Sequence, residues 1–240
     1  MKSPEELVSE LSFSDPGTHW FAECRQVQKP LDNKVLGVYE QRLDACDSKI
    51  RFSAKAYLAI RKIVSELEHG EFIYFDDASR LDVSFHTESL LIFLRASLDL
   101  AISAYCAYFS TKTNIDSFND FIKKVGKGQQ AQAEAVWLPT HSREFWSGVY
   151  EDHASEEFYT WIHALVGKDK GMSLRDLVIH KQSVIVDTYI DDNDRGRFFI
   201  GLTKDSMEQI MPWLEHIFNW VQTVMDRVKS DIVAAEKTYG

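Results

Sequence analysis

Residues 36–67, LGVYEQRLDACDSKIRFSAKAYLAIRKIVSEL, decide the fold class. Leu36, Tyr39, Leu43, Cys46, Ile50, Ser53, Tyr57, Ile60, Val64 and Leu67 follow one another in alternating steps of three and four without a break. That spacing keeps one stripe of a helix turned toward a partner, while Arg42, Lys49, Lys55 and Glu66 fall on other faces. Asp32 or Asn33 suits the start, and His69 followed by Gly70 suits the end. At 1.5 Å per residue the rod is roughly 50 Å long, so the helices that cover it must also be long.

Working outward, residues 71–80 read as an irregular connector before a second helix with Leu90, Leu94, Leu98, Ala101, Tyr105 and Tyr108 on one face. Ile92, Arg95, Asp99, Ile102 and Cys106 share its other stripe, so the i,i+4 pair Arg95 and Asp99 is bracketed by apolar residues and a partly buried ion pair is expected. Between residues 111 and 152 loops are expected to dominate, with a short helix from Ile115 to Val125. Ser155 is expected to open a helix that Gly167 ends. Ser173 opens another, with Asp176 as its capping-box partner. Helical spacing fails after Gln182: the β-branched and aromatic run 183–190, the turn cluster 191–196 and the run 197–202 predict a β-hairpin. Asp205 and Glu208 then cap a last helix through Ile210, Leu214, Ile217, Val221, Val224 and Val228, with Pro212 expected to kink its first turns. With no repeat or Pro/Gly/Ser linker, the chain reads as mainly all-α. The expected architecture is one domain over 1–240, a helical bundle with long antiparallel helices, an N-terminal extension with a long helix at 1–70 and a β-hairpin insertion at 183–202.

Composition narrows the function classes. The 240 residues are 45% hydrophobic and 27% charged with a formal net charge of −10, which suits a globular domain and disfavours an extended nucleic-acid surface while leaving room for one small basic cleft. Cys24, Cys46 and Cys106 are far apart and form no C-x-x-C pair, so neither a disulfide framework nor a cysteine zinc site is expected, and a reducing cytoplasm is the expected setting. The N-terminus lacks the basic start and apolar run of a signal peptide. The most membrane-like stretch, 89–109, carries Arg95 and Asp99, each costing about 2.5–3.5 kcal/mol at a bilayer centre, and reads as a buried helix rather than a span.

The segment Ser173-Leu174-Arg175-Asp176-Leu177-Val178-Ile179-His180 sets an Arg, a polar residue directly after it, and a His on a short helix among apolar residues. Guanidinium grips anionic oxygens through its planar fork, and imidazole exchanges protons near neutrality. Arg80 and His86 meet the same spacing, but Leu81 follows that Arg. With its Arg175, Asp176 and His180, the chain resembles the HEPN superfamily, recognised by R-x(4 to 6)-H. The resemblance implies a helical bundle that pairs into a homodimer, RNA as ligand, and in active members a metal-independent endoribonuclease attacking through the ribose 2′-OH. In that reading His180 is the acid or base, Arg175 the phosphate clamp and Asp176 the group that orients one of them, while Arg95 and Asp99 are candidates for holding the motif in place. A toxin or defence setting, with a protein partner or antitoxin, is what the resemblance suggests biologically. No cofactor and no metal are expected, and no membrane partner.

The residues also admit a plainer reading. Asp176 can serve only as a helix cap, Arg175 can pair with a structural carboxylate such as Asp99, and His180 can sit at a helix C-terminus that favours a cation. The chain is then a non-enzymatic helical scaffold or partner-binding protein. His141, His153 and His163 with Glu151, Asp152, Glu156 and Glu157 match no metal-ligand spacing. The acidic turn at 191–194 reads as a solvated hairpin tip, and Trp137, Trp146, Trp161, Trp213 and Trp220 read as core or interface anchors.

Overall fold

A computed structural model of the chain describes residues 2–9, 19–68, 77–111, 117–125, 136–154, 160–167, 173, 175–176, 185–190, 196–203 and 206–239. These residues are mostly helical. In chain order they form α1 (Pro4–Ser9), a 3-10 turn (Ala22–Arg25), α2 (Asn33–Glu68), α3 (Asp77–Ser110), α4 (Phe118–Val125), a second 3-10 turn (Thr140–Ser142), α5 (Arg143–Ala154), α6 (Trp161–Leu165), strands β1 (Ile185–Ile190), β2 (Gly196–Thr203) and β3 (Ser206–Gln209), and α7 (Ile210–Glu236).

The stripe read from residues 36–67 is buried from Tyr39 to Val64, at every one of its seam positions between them. Of the two candidate caps, Asp32 does the work: its carboxylate accepts the Lys34 N–H at 2.9 Å. Ser53, the polar member of the stripe, is tolerated because its hydroxyl donates to the Lys49 carbonyl at 2.8 Å. The facing stripe of α3, from Leu90 through Tyr108, is wholly buried, and its contacts with α2 form the core. Tyr39 meets Tyr108, Cys46 Sγ approaches the Ser97 carbonyl, and Phe52 meets Phe93 with ring centroids 5.3 Å apart. Asp77–Ser110 is long and apolar enough to cross a membrane by length and composition, and 67% of its most apolar window is buried inside the protein.

Several boundaries differ from the sequence reading. α3 begins at Asp77, inside the expected connector, with the acidic residue in its first turn where the helix dipole favours it. α5 occupies a stretch expected to be loop. Its buried residues Trp146, Val149 and His153 do keep helical spacing, but Gly148 and the shortness of the run obscured it. α6 begins at Trp161 rather than Ser155, capped by Thr160, and stops where Gly167 takes a positive φ of 83°, the left-handed conformation that terminates helices. β1 pairs antiparallel with β2, from Ile185 opposite Gly201 to Ile190 opposite Gly196. β3 pairs with the other edge of β2, and α7 starts at Ile210, so the segment carrying Glu208 extends the sheet instead of capping the helix. Backbone groups on the β2 edge find partners this way. Pro212, the third residue of α7, sits where its missing N–H has no intrahelical partner to lose, and the helix runs on to Glu236.

Residues 19–30 are tied to the helices by buried polar groups. Asp47 accepts the Trp20 N–H at 2.7 Å, the Tyr39 hydroxyl donates to the Cys24 carbonyl at 2.7 Å, and Glu236 accepts both the Gln28 N–H and the Tyr108 hydroxyl at 2.5 Å. Ser3 and Glu6 cap α1 reciprocally, the Glu6 N–H donating to Ser3 Oγ and the Ser3 N–H to Glu6 Oε2.

Candidate functional site

Ser173, Arg175 and Asp176 form one local unit. Ser173 is fully buried, and its Oγ accepts the Asp176 N–H at 2.9 Å, the bond a helix-opening serine makes. Arg175 Nη1 donates to Asp176 Oδ1 at 2.7 Å, with about a third of each side chain exposed. Burial acts to raise the Asp176 carboxyl, but hydrogen bonds from Arg175 and Ser173 and the charges of Arg175 and Arg95 outweigh it and hold it below the ordinary carboxylate value. Arg175 Nε is buried with no hydrogen-bond partner among the described residues. His180, assigned the proton-transfer role, lies outside the described residues.

The ion pair expected on α3 forms, with Arg95 Nε donating to Asp99 Oδ2 at 2.8 Å. Its wider role is to join helices. Arg95 Nη1 donates to the Leu165 carbonyl at 3.2 Å, satisfying an orphan acceptor at the end of α6, and Asp99 Oδ1 accepts the Phe118 N–H at 2.7 Å, capping the start of α4. Arg95 is thus held by its own helix and by α6 while its charge reaches Asp176. The alternative Arg80 pairs instead with Asp187 of β1 at 3.7 Å, and His86 lies edge-on to Phe85.

A second polar centre lies on α7. The Asp231 side chain is fully buried, and its Oδ2 accepts the Tyr105 hydroxyl at 2.7 Å and the Ser142 hydroxyl at 2.5 Å, while Oδ1 accepts His141 Nε2 at 3.0 Å with Arg227 Nη1 at 3.7 Å. This centre was missed from sequence, although a signal was present: Asp231 falls three residues after Val228, where the apolar stripe of α7 should continue. An acidic residue on an apolar stripe implies buried donors.

The cysteines are free and buried, and burial pushes the Cys24 and Cys106 thiols up to about 12, far from a reactive thiolate. Among the described residues no group of three His, Cys, Asp or Glu side chains is arranged to hold a metal ion. His163 Nε2 meets the His153 carbonyl at 3.2 Å, both residues being buried.

Comparison with family models, curated proteins and solved structures gave no match to this chain.

Proposed function

We propose that the chain is a HEPN-like RNA-binding protein of the cytoplasm that works as a homodimer and cleaves RNA without a metal. In this reading it is a bundle built on antiparallel α2 and α3 with an inserted hairpin. The descending partners of Tyr39, Cys46 and Phe52, namely Tyr108, Ser97 and Phe93, support that arrangement. Arg175 clamps the scissile phosphate, Asp176 orients it, and His180 moves the proton. The ribose 2′-oxygen attacks phosphorus as its proton passes to the base, the bond from phosphorus to the 5′-oxygen breaks, and that oxygen is protonated.

The observation that supports the reading is the Arg175–Asp176 pair: a guanidinium one-third exposed, paired with a neighbouring carboxylate that the Ser173 hydroxyl also holds. A carboxylate accepting from one guanidinium nitrogen leaves other N–H groups for a phosphate. A second reading, a non-enzymatic partner-binding scaffold, draws on Leu81 and Phe85, 70% and 62% exposed one turn apart on α3.

Cleavage of single-stranded RNA in excess EDTA by wild type, Arg175→Ala and His180→Ala separates them. Cleavage by wild type alone is expected. Equal activity in all three removes the catalytic assignment, and a wild type that neither binds nor cuts RNA favours the scaffold.

A further inference from the structure

A groove of about 440 Å³ runs between α5 and α7, which lie antiparallel along it. At one end His141 and Ser142 bond to Asp231, and Arg227 lies over Phe145. At the other, Trp161 Nε1 donates to Asp152 Oδ2 at 3.3 Å while the Trp161 ring stacks on Trp220 with centroids 5.5 Å apart. Trp220 and Asp231 are eleven residues apart on α7, so the groove is roughly 16 Å long, the span of about five extended residues. Its middle is apolar and open. Val149 is buried, and at exposed Gly148 an added Cβ would meet nothing within 4 Å, so a ligand can lie close against the α5 backbone.

Charge selects the ligand. Glu144 and Glu151, both exposed, are seven residues apart on α5, two turns and about 10 Å along one face, and neither forms an ion pair with another described residue. Asp152 adds a third carboxylate beside Trp220. Arg227 also lines the groove but is already engaged: Nη1 lies 3.7 Å from the fully buried Asp231 carboxylate, and the guanidinium sits 5.0 Å over the Phe145 ring. The three carboxylates are strung along the groove, and among the described residues no three such groups gather to hold a metal ion. The complementary ligand therefore spreads its positive charge over about 10 Å of an apolar frame. Arginine suits the Trp220 end, where a guanidinium over the indole meets carboxylates at its edge, the arrangement Arg227 already makes with Phe145 and Asp231.

We propose that this groove docks an extended basic segment of a protein partner, with two arginines three positions apart. One arginine meets Glu144, the other meets Glu151 and Asp152 over Trp220, and a small apolar residue between them rests on Gly148. In a polyproline II segment residues i and i+3 lie on one side about 9 Å apart, close to the separation of Glu144 from Glu151. The groove shares no residue with the Arg175–Asp176 pair, so the proposal is independent of RNA binding.

Calorimetric titration of the full chain with the peptide acetyl-GRALRG-amide tests this. The peptide is expected to bind, and its analogue with citrulline for both arginines, which keeps the shape and loses the charge, to show no binding. Acetyl-GRRALG-amide, with the same residues but adjacent arginines, is expected to bind at least about threefold more weakly. Glu151→Gln should weaken GRALRG binding about two- to fivefold, as loss of an exposed ion pair does, while Glu66→Gln on α2, which removes the same charge elsewhere, should not. Gly148→Leu fills the groove at an exposed helical position and should weaken binding at least about tenfold while the denaturation midpoint is kept. No binding of GRALRG by wild type, equal binding of the citrulline or adjacent-arginine peptide, or unaltered affinity in Glu151→Gln or Gly148→Leu overturns the proposal. So does an equal loss in Glu66→Gln, which would reduce the effect to the net charge of −10, or spermidine binding as tightly as the peptide.

Discussion

Asp231 and Asp176 are both carboxylates set beside a serine and an arginine, but they are built for different ends. Asp231 is sealed, and Tyr105 on α3, Ser142 and His141 on the second 3-10 turn and Arg227 on α7 converge on it. Asp176 is one-third exposed and is held mainly by residues one and three positions away in the chain. The enclosed carboxylate ties elements together. The open one arranges a guanidinium that still reaches solvent, which is what a phosphate clamp requires.

The sharpest way to break this contrast is to remove each carboxylate. Asp231→Ala strands two buried hydroxyls and is expected to lower unfolding free energy by about 3–5 kcal/mol, seen as a large drop in the denaturation midpoint. A drop no larger than that of a surface change would mean the hub is not what joins α3, the 3-10 turn and α7.

That hub shows where sequence reading stops. The seams of α2, α3 and α7 are legible because burial of an amphipathic stripe writes a period of 3.6 into the residue order, and the structure buries Tyr39 to Val64 and Ile210 to Val228 accordingly. Arg95 with Asp99 was legible for the same reason, two charges four residues apart among apolar ones. The partners of Asp231 are not local: Tyr105 and Ser142 lie 126 and 89 residues away, and no spacing rule connects them. β3 was misread because Asp205 and Glu208 fit a helix cap, while the competing edge of β2 is supplied by tertiary structure. Of the motif, the Ser173–Asp176 cap and the Arg175–Asp176 pair are local and were within reach, whereas His180 lies outside the described residues.

Intermediate effects sharpen the comparison. Asp99 resembles Asp176 in exposure but joins two helices, so Asp99→Ala is expected to cost about 1–3 kcal/mol through the lost α4 cap and the lost Arg95 partner. Thermal denaturation that distinguishes it from Asp176→Asn would support that ranking. Asp176→Asn is expected to cost at most about 1 kcal/mol at neutral pH, as a part-exposed pair does. Because the folded Asp176 carboxyl is held below its ordinary value, its contribution is present above the unfolded pKa and is lost as pH falls through the folded one. The stability difference between wild type and Asp176→Asn should therefore shrink in acid, measured by denaturant titration at neutral and strongly acidic pH. A difference that grows in acid would reverse the sign assigned to the pair.

The smallest change concerns α2, away from both carboxylates. A Cβ added at exposed Gly37 meets nothing within 4 Å, so Gly37→Ala should stabilise by about 0.5–1 kcal/mol in the same assay. It calibrates what an isolated backbone effect is worth beside the two polar centres.

Single-stranded RNA affinity, followed by fluorescence anisotropy over a series of salt concentrations in EDTA, tests the clamp most directly. Arg175→Ala, folded as judged by its denaturation midpoint, is expected to bind more weakly than wild type and with a shallower dependence on salt, since one phosphate contact is gone. Identical affinity and identical salt slope in the two proteins would contradict the assignment of Arg175 to phosphate.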